Sequence, residues 1–432
     1  MVAIFLAAAL LINIPETGVV ELPPGDTHLR WPVTIPKGGK HITVRGNPKG
    51  SVLVIDAGFT GRAAIVADGV SDLTLEGFEI QGNRTDLKSD WYLPLREAAF
   101  ADFYPDNGIV VRRSDQVVIH DVHFSRIRTF PLIVNAATNV TIDAVKIEDC
   151  GTLNRAGRNN TSGGILLEEG VSRFEVRGST INRITGNAIW THSYSRSPRA
   201  ADGLIRDNRI TMVGRDAIQV GHATNIRVRN NTGGDLGFPA EYVDVASHGV
   251  AVALDTAGNV DQSVYADNHF TDVNGQCIDL DGFHEGRVIG NSCTNKKSLD
   301  EYPALHYGIV FGNSDPAADS SGVVVTNNIV RGFAYGAIFL IGSRNRIENN
   351  VFFDINLAHC GTTPVSARCN YALDRPDLLR SGIYLSNNGG RPAVTQDNVI
   401  RNNTIQGFGM KTHCMAGAPG VALPPNTNNC SD

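Results

Sequence analysis

With 432 residues and a formal net charge of −6, the chain carries no basic stripe, so nucleic acid is not an expected partner. Charged residues are 19% of the total and glycines number 45, the balance of a turn-rich β protein and not of a disordered chain. Length alone suggests two or three domains, an expectation that the internal repeats set aside.

The apolar start, 1–12, is too short to span a membrane. It lacks the positive region and the small-residue cleavage site of a signal peptide. It reads as a cap over the open end of a stacked structure, with a truncated export signal as the alternative. Gly18 to Gly25 reads as a first strand and turn, followed by short strands at Val33–Ile35, Ile42–Val44 and Val52–Ile55, and a strand pair within Val70–Ile80.

From Asn83 to Asp106 the pattern is interrupted by a long segment carrying Trp91, Tyr92, Phe100, Phe103 and Tyr104. Loops of this length are often functional. These aromatics either stack on sugar rings or pack the segment onto the surface below it.

One strand shape then recurs: a small residue, an apolar one, any residue, another apolar one. Its copies begin at Gly108, Gly164, Ala188, Ala217, Gly249, Cys277, Gly308, Ala337 and Gly382, with a weaker copy at Pro131. A second repeat is built on asparagine at 208, 231, 268, 291, 328, 350 and 403, and several of its gaps are 22 or 23 residues. Periods of this length indicate a solenoid, one elongated domain of stacked coils. Asparagine suits its tight turns by tolerating left-handed backbone, and stacked asparagines can hydrogen-bond from coil to coil. Further insertions are expected at 193–202, 233–247, 295–307 and 355–380, and loops gathered on one side of a solenoid commonly build its binding face. The tail from Gly409 shows no strand pattern and is expected to lie over the last coil.

With these repeats, Gly108 to Asn403 resembles the right-handed parallel β-helix proteins of the pectin-lyase-like superfamily, and Gly18 to Asp56 resembles their opening segment. The chain also resembles uncharacterised secreted bacterial proteins of that type. The resemblance implies an all-β, right-handed parallel β-helix in a single domain: 1–56 as cap and first coil, 57–408 as coils with insertions, 409–432 as a covering tail. It does not imply one activity, because the superfamily holds lyases, hydrolases, epimerases and tailspikes. The polygalacturonase signatures, Gly-His-Gly and an adjacent aspartate pair, are not in the sequence.

The stretch that carries chemistry is Gln276 to Gly286. If Ile278 and Leu280 point inward, Asp279 and Asp281 both point outward, roughly 6.5 Å apart. Strands usually avoid aspartate. A slip of one residue would bury Asp279 and expose Ile278. In the same register the outward face also carries Arg112, Glu168, Trp190, His192, Gln219, Ala251 and Ala253. With coils about 4.8 Å apart, Asp255, Asp279, Asp281, His222 and His284 form one cluster. Trp190, His192, Gln219, Glu168 and Arg112 are then substrate-binding positions along a groove.

Three functions fit. Two carboxyl groups at this spacing suit inverting glycoside hydrolysis, with Asp281 as proton donor, helped by the apolar Phe283, and Asp279 or Asp255 as base. A polysaccharide lyase or uronate epimerase needs a cation against the substrate carboxylate. No Arg or Lys neighbours the aspartates on that face, so calcium held by Asp255, Asp279 and Asp281 would serve, with His222 or His284 as base. A non-catalytic glycan-binding, adhesin-like solenoid needs only the groove. Hydrolysis of a polysaccharide is favoured, without cofactor (calcium being possible), and with neither nucleic acid nor membrane as partner. Seven cysteines include no metal-type pair. Cys360 with Cys369 and Cys414 with Cys430 close loops, as disulfides of a secreted or periplasmic protein do.

Overall fold

Strands of three to six residues cannot hold together alone; here each finds its partner one coil later, always in parallel. Gly18–Glu21 pairs with Lys40–Arg45, and that strand with Ser71–Glu76. Gly25–Leu29 pairs with Ser51–Ile55, and Val33–Ile35 with Ala63–Asp68. Three stacks of strands thus run side by side along a parallel β-helix. The computed structural model describes residues 12–92, 98–194, 196–244, 250–312, 319–387 and 394–432. Among them α-helix is confined to two single turns, Phe100–Phe103 and Asp377–Arg380. The apolar run 1–11 lies outside the described residues; Ile12 and Ile14, just after it, pack on the first coil.

Alternation along each strand builds the core. In Ser51–Ile55, Leu53 and Ile55 are buried while Val52 and Val54 are partly open. Val117, Val140 and Phe174 stack in register, as do Ile119, Ile142, Val176, Ile205 and Val228 beside them, in one continuous apolar interior. The third stack is the one made of the recurring strand shape. It runs through Asn107–Arg112, Leu132–Asn135, Gly163–Glu168 and Asn187–His192 into Ile218–Arg229, Ala251–Asp261 and Gly275–Leu280. It continues through Ile309–Phe311, Ile338–Leu340 and Ile383–Leu385 to Met415–Gly417.

One copy of that strand is displaced from the expected place. Ile218 lies opposite Leu254, and Leu254 opposite Ile278. The copy is therefore Ala253-Leu254-Asp255-Thr256, four residues beyond Gly249. Thr256 takes the inward position normally held by an aliphatic residue, and its hydroxyl meets that of buried Tyr265 at 2.7 Å, which satisfies both groups. Ala251 and Ala253, expected on the outward face, are in the core.

The asparagines form a continuous ladder. Each side-chain amide from Asn208 through Asn231, Asn268, Asn291, Asn328, Asn350 and Asn403 donates to the Oδ1 of the next, at 2.8–3.0 Å, ending on Asn428. The left-handed backbone sits one residue earlier than expected. Asp207, Asn230, Asp267, Asn327, Asn349 and Asn402 have φ of 55–59°. The turn residue and the ladder residue are thus separate devices, adjacent in sequence.

The tail also departs from expectation. Met415–Gly417 and Thr427–Ser431 pair with the preceding coil, so the segment adds strands and does not merely cover them. Disulfides join Cys360 to Cys369 and Cys414 to Cys430, and a third, which flanks no surface loop, joins Cys277 to Cys293 through the core; Cys150 is free and buried.

Two outcomes follow. Asn291 accepts from the backbone and side-chain amides of Asn268 and donates to Asn328 and to the Tyr265 carbonyl. Asn291→Ala leaves buried donors and acceptors unpaired, so the urea-unfolding free energy should fall by about 1–3 kcal/mol; a change within about 0.5 kcal/mol would show that the ladder carries no stability. Thiol titration of the unfolded, unreduced protein should count one thiol, Cys150, against the seven of the fully reduced chain.

Candidate active site

Register in the third sheet decides which polar side chains meet. Gln219, Asp255 and Asp279 occupy the same outward position in consecutive coils, followed by Val310. Their backbones are about 4.8 Å apart. Asp281 lies two residues beyond Asp279, on the same side and about 6.6 Å along the chain. The next coil has Gly312 there. A Cβ on Gly312 would come within 3.5 Å of the Asp279 Oδ1 and 3.6 Å of the Asp281 Cγ, so both carboxyls face a position at which this residue places no side chain.

A fourth carboxylate, Asp216, was not among the expected residues. It enters just before Ile218–Arg229 and accepts from the Val252 N–H at 3.0 Å and the Gln219 amide at 3.3 Å, with the Arg215 guanidinium at 3.4 Å. Gln219 also donates to Asp255, and its oxygen accepts from Asn187 at 2.9 Å. The residue two before the inward apolar one is Asn107, Asn187, Asp216 and Gln276 in four of the coils. This polar column is a signal for Asp216 in the sequence, and attention to the outward positions alone passes over it.

The cluster is heavily charged and poorly solvated. Burial, then the neighbouring Asp216, holds the Asp255 carboxyl well above the ordinary carboxylate range. Burial does the same for Asp279, reinforced by Asp255 and Asp281. Asp216 is raised as well, by burial, against the pull of Arg215. Coupled carboxylates of this kind share protons as a group. The Asp279 Oδ1 is buried without a hydrogen-bond partner. Arg215 is the cation of the cluster, and it stands between Asp216 and the fully buried Asp244, 3.8 Å away, which Arg158 also pairs at 2.7 Å.

The two histidines are arranged differently from expectation. Phe283 points into the core and packs on Tyr265 with ring centroids 5.1 Å apart, so it does not shield Asp281. His284 bonds the Gly282 carbonyl at 3.1 Å and lies 3.9 Å from Asp261 on the neighbouring coil. His222 sits in a left-handed corner at φ 48°, where the pairing slips between Gly221 and Ala223. Burial, with a lesser contribution from the nearby His222, pushes His192 down to about 4. His222 thus lies toward His192. Calcium ligation by Asp255, Asp279 and Asp281 meets a geometric difficulty. Among the described residues the three-ligand group whose atoms all lie within 4.8 Å of one another is Glu168, Glu169 and His192. Both oxygens of Glu168 already accept backbone N–H groups.

Those bonds explain the fate of the other expected binding residues. The short helix Phe100–Phe103 of the 83–106 insertion lies directly on the third sheet. Phe100, Ala101 and Tyr104 pack with Val110, Ile133, Leu166 and Trp190 in an apolar cluster separate from the main core. Glu168 is completely buried beneath them and receives the N–H groups of Phe100 and Ala101 at 2.8 Å and the Asn135 amide at 3.1 Å. Burial outweighs these bonds and raises its carboxyl to about 7. Arg112 pairs with Asp102 at 2.5 Å. Glu168, Arg112 and Trp190 therefore hold the insertion in place; they are not open subsites on a groove.

Because Asp279 binds its proton more tightly when folded, it contributes stability that is complete below the unfolded value of 3.8 and is lost as pH rises through the folded one. Asp279→Asn keeps the neutral form at every pH. It should therefore unfold at higher urea than the native chain at pH 8 and lose that advantage below about pH 4. A constant difference between the two across this range would show that Asp279 ionises normally.

No curated protein matches this chain. Among solved structures it is similar to the Streptococcus pneumoniae surface protein and adhesin PfbA, at 16% identity and a TM-score of 0.59, over 78% of this chain and 90% of that one. It is also similar to the Yersinia enterocolitica family 28 exopolygalacturonase, at 12% identity and 0.52, over 78% and 70%. A third similar structure is the DFA-IIIase of Arthrobacter chlorophenolicus A6, at 16% and 0.51, over 95% and 89%. At these identities the likeness concerns the fold. The family described as right handed beta helix region matches residues 63–233 and 243–429, and with the parallel three-stack coil seen here the chain belongs to that right-handed β-helix family.

Proposed function

We propose that this protein is a secreted carbohydrate-active enzyme that hydrolyses glycosidic bonds. The observation that carries this reading is that Asp279, near the end of its strand, and Asp281, just beyond that end, both turn their carboxyls toward the side-chain position that Gly312 leaves unfilled, with Asp279 Oδ1 3.5 Å and Asp281 Cγ 3.6 Å from it. Inverting hydrolysis needs about 6.5–9.5 Å between an acid and a base, so that a water fits between them and the sugar. Burial and the adjacent Asp255 and Asp281 keep a proton on Asp279, so we assign Asp279 as the acid and Asp281 as the base. This reverses the order expected from the sequence, because Phe283 turns away from Asp281 into the core. Asp255 and Asp216, tied through Gln219, add the negative field that holds the proton.

Elimination or epimerisation at a uronate requires a cation beside the substrate carboxylate. Arg215 is engaged by Asp216 and Asp244, and the aspartates themselves repel an anionic sugar. This favours a neutral glycan as substrate. Similar structures whose names denote polysaccharide or oligosaccharide enzymes support a carbohydrate partner. Three disulfides support an oxidising compartment, and no helix among the described residues is long and apolar enough to cross a membrane.

Incubation with neutral and uronate polysaccharides tests the reading. New reducing ends should appear on a neutral polymer without unsaturated-uronate absorbance. Asp279→Asn and Asp281→Asn should each lower turnover by a factor on the order of 10² or more while the circular dichroism spectrum is retained. Full turnover in both variants, or unsaturated products from the native protein, would sink the assignment.

A further inference from the structure

The outer face of the first stack carries a pattern that the net charge of −6 conceals. Buried Ile205, Val228, Tyr265, Val288, Val325 and Ile347 fix which way its strands face. The residue before each of them points outward. In consecutive coils these are Leu204, Arg227, Val264, Arg287, Val324 and Arg346, all in register. Aliphatic and arginine side chains thus alternate up the column. The arginines are exposed and the aliphatic residues half-buried. The arginines recur every second coil, at about 9.6 Å.

The position two residues on holds Arg206, Arg229, Ala266, Ile289, Thr326 and Glu348. Glu348, the one acidic side chain on this part of the face, pairs with Arg346 at 3.1 Å and with Arg401 at 2.8 Å. Arg206 is engaged by Glu175 at 2.7 Å and Asp207 at 2.6 Å. Among the described residues Arg227, Arg229 and Arg287 have no ion-pair partner, although Asp267 and Glu285 stand at turns beside the same sheet. Three like charges on one sheet face repel each other, and the fold neutralises their neighbours but not them. Arginine stems cover aliphatic residues while keeping the charged heads in water.

A guanidinium binds a carboxylate through two parallel N–H···O bonds. The two-coil spacing matches the length of a disaccharide in an extended chain, whereas a nucleic-acid strand carries a charge about every 3.4 Å. We propose that this face binds a linear acidic polysaccharide, with a carboxylate on alternate sugar units, lying along the coils. Its carboxylates meet Arg227 and Arg287, with Arg229 beside the first, and its sugar faces rest on Val264 and Val324. The polymer is an anchor and not the substrate. The face belongs to a different sheet from Asp279, and the aspartates there repel an anionic chain. The inference therefore stands apart from the hydrolase reading.

The probe is hyaluronan, which carries one carboxylate per disaccharide, with carboxyl-reduced hyaluronan as its uncharged counterpart. Binding of the full chain to each immobilised polymer is measured by biolayer interferometry. The native protein should bind hyaluronan at low salt, ignore the reduced polymer, and release hyaluronan in salt near 1 M, where screening acts within about 3 Å. Arg227→Gln with Arg287→Gln changes exposed residues, so the circular dichroism spectrum should be kept while affinity falls roughly 5–30-fold. If the double variant does not fold, the two single variants decide, each expected to weaken binding about 2–5-fold. The proposal is overturned by any of four results: no binding by the native chain, equal binding of the reduced polymer, unchanged affinity in the folded variants, or tighter binding of single-stranded DNA than of hyaluronan. None of these readouts involves bond cleavage, so a failed hydrolysis panel leaves this inference standing and the reverse also holds.

Discussion

Everything in this molecule depends on parallel coil-to-coil hydrogen bonding in fixed register. The rise between coils is set by backbone geometry at about 4.8 Å, so residues far apart in sequence become neighbours whenever they share a position in the coil. Gln219, Asp255 and Asp279 are linked only in this way. The same repeat places Asn291 between Asn268 and Asn328. A one-residue slip would turn Asp279 into the core and Ile278 into water, so the apolar interior fixes which polar residues face outward without touching them.

Much of the architecture was legible because the interior accepts a narrow set of residues. Ile109, Ile165, Ile189 and Ile218 mark the inward position so consistently that the coil can be read from them. The reading failed where a polar residue satisfied the interior by other means. Thr256 sits inward because Tyr265 meets its hydroxyl, and without that partner the sequence favours the aliphatic-looking Gly249 copy. The same displacement hid the alignment of Asp255 with Asp279. The Cys277–Cys293 link was hidden for a related reason: it crosses the core between two sheets, and only a three-dimensional coil brings those positions together.

The candidate site was half legible. Asp279 and Asp281 are conspicuous because aspartate is uncommon in strands. The mutual influence of Asp255, Asp279 and Asp281 follows from their spacing, whereas burial, the largest influence on Asp279, and the further contribution of Asp216 appear only in the folded chain. Glu168 and Arg112 looked like binding residues because they are charged and point outward. In the folded chain their charges are matched by two amides and a carboxylate of the insertion. A charged residue on an outward position signals a partner, and that partner can belong to the same chain.

The asparagine ladder has a direction. Each amide nitrogen donates toward the later coil, from Asn208 to Asn428, and Asn428 donates in turn to Asn426 within the final turn at 3.0 Å. A column with one polarity cannot lose a rung without leaving a buried amide facing nothing. The loops between ladder positions vary freely, since successive asparagines are 22 to 53 residues apart, but a change in the number of coils must add or remove a ladder asparagine with each coil. Whole-coil duplication is thus a route of growth that the hydrogen-bond chemistry itself permits.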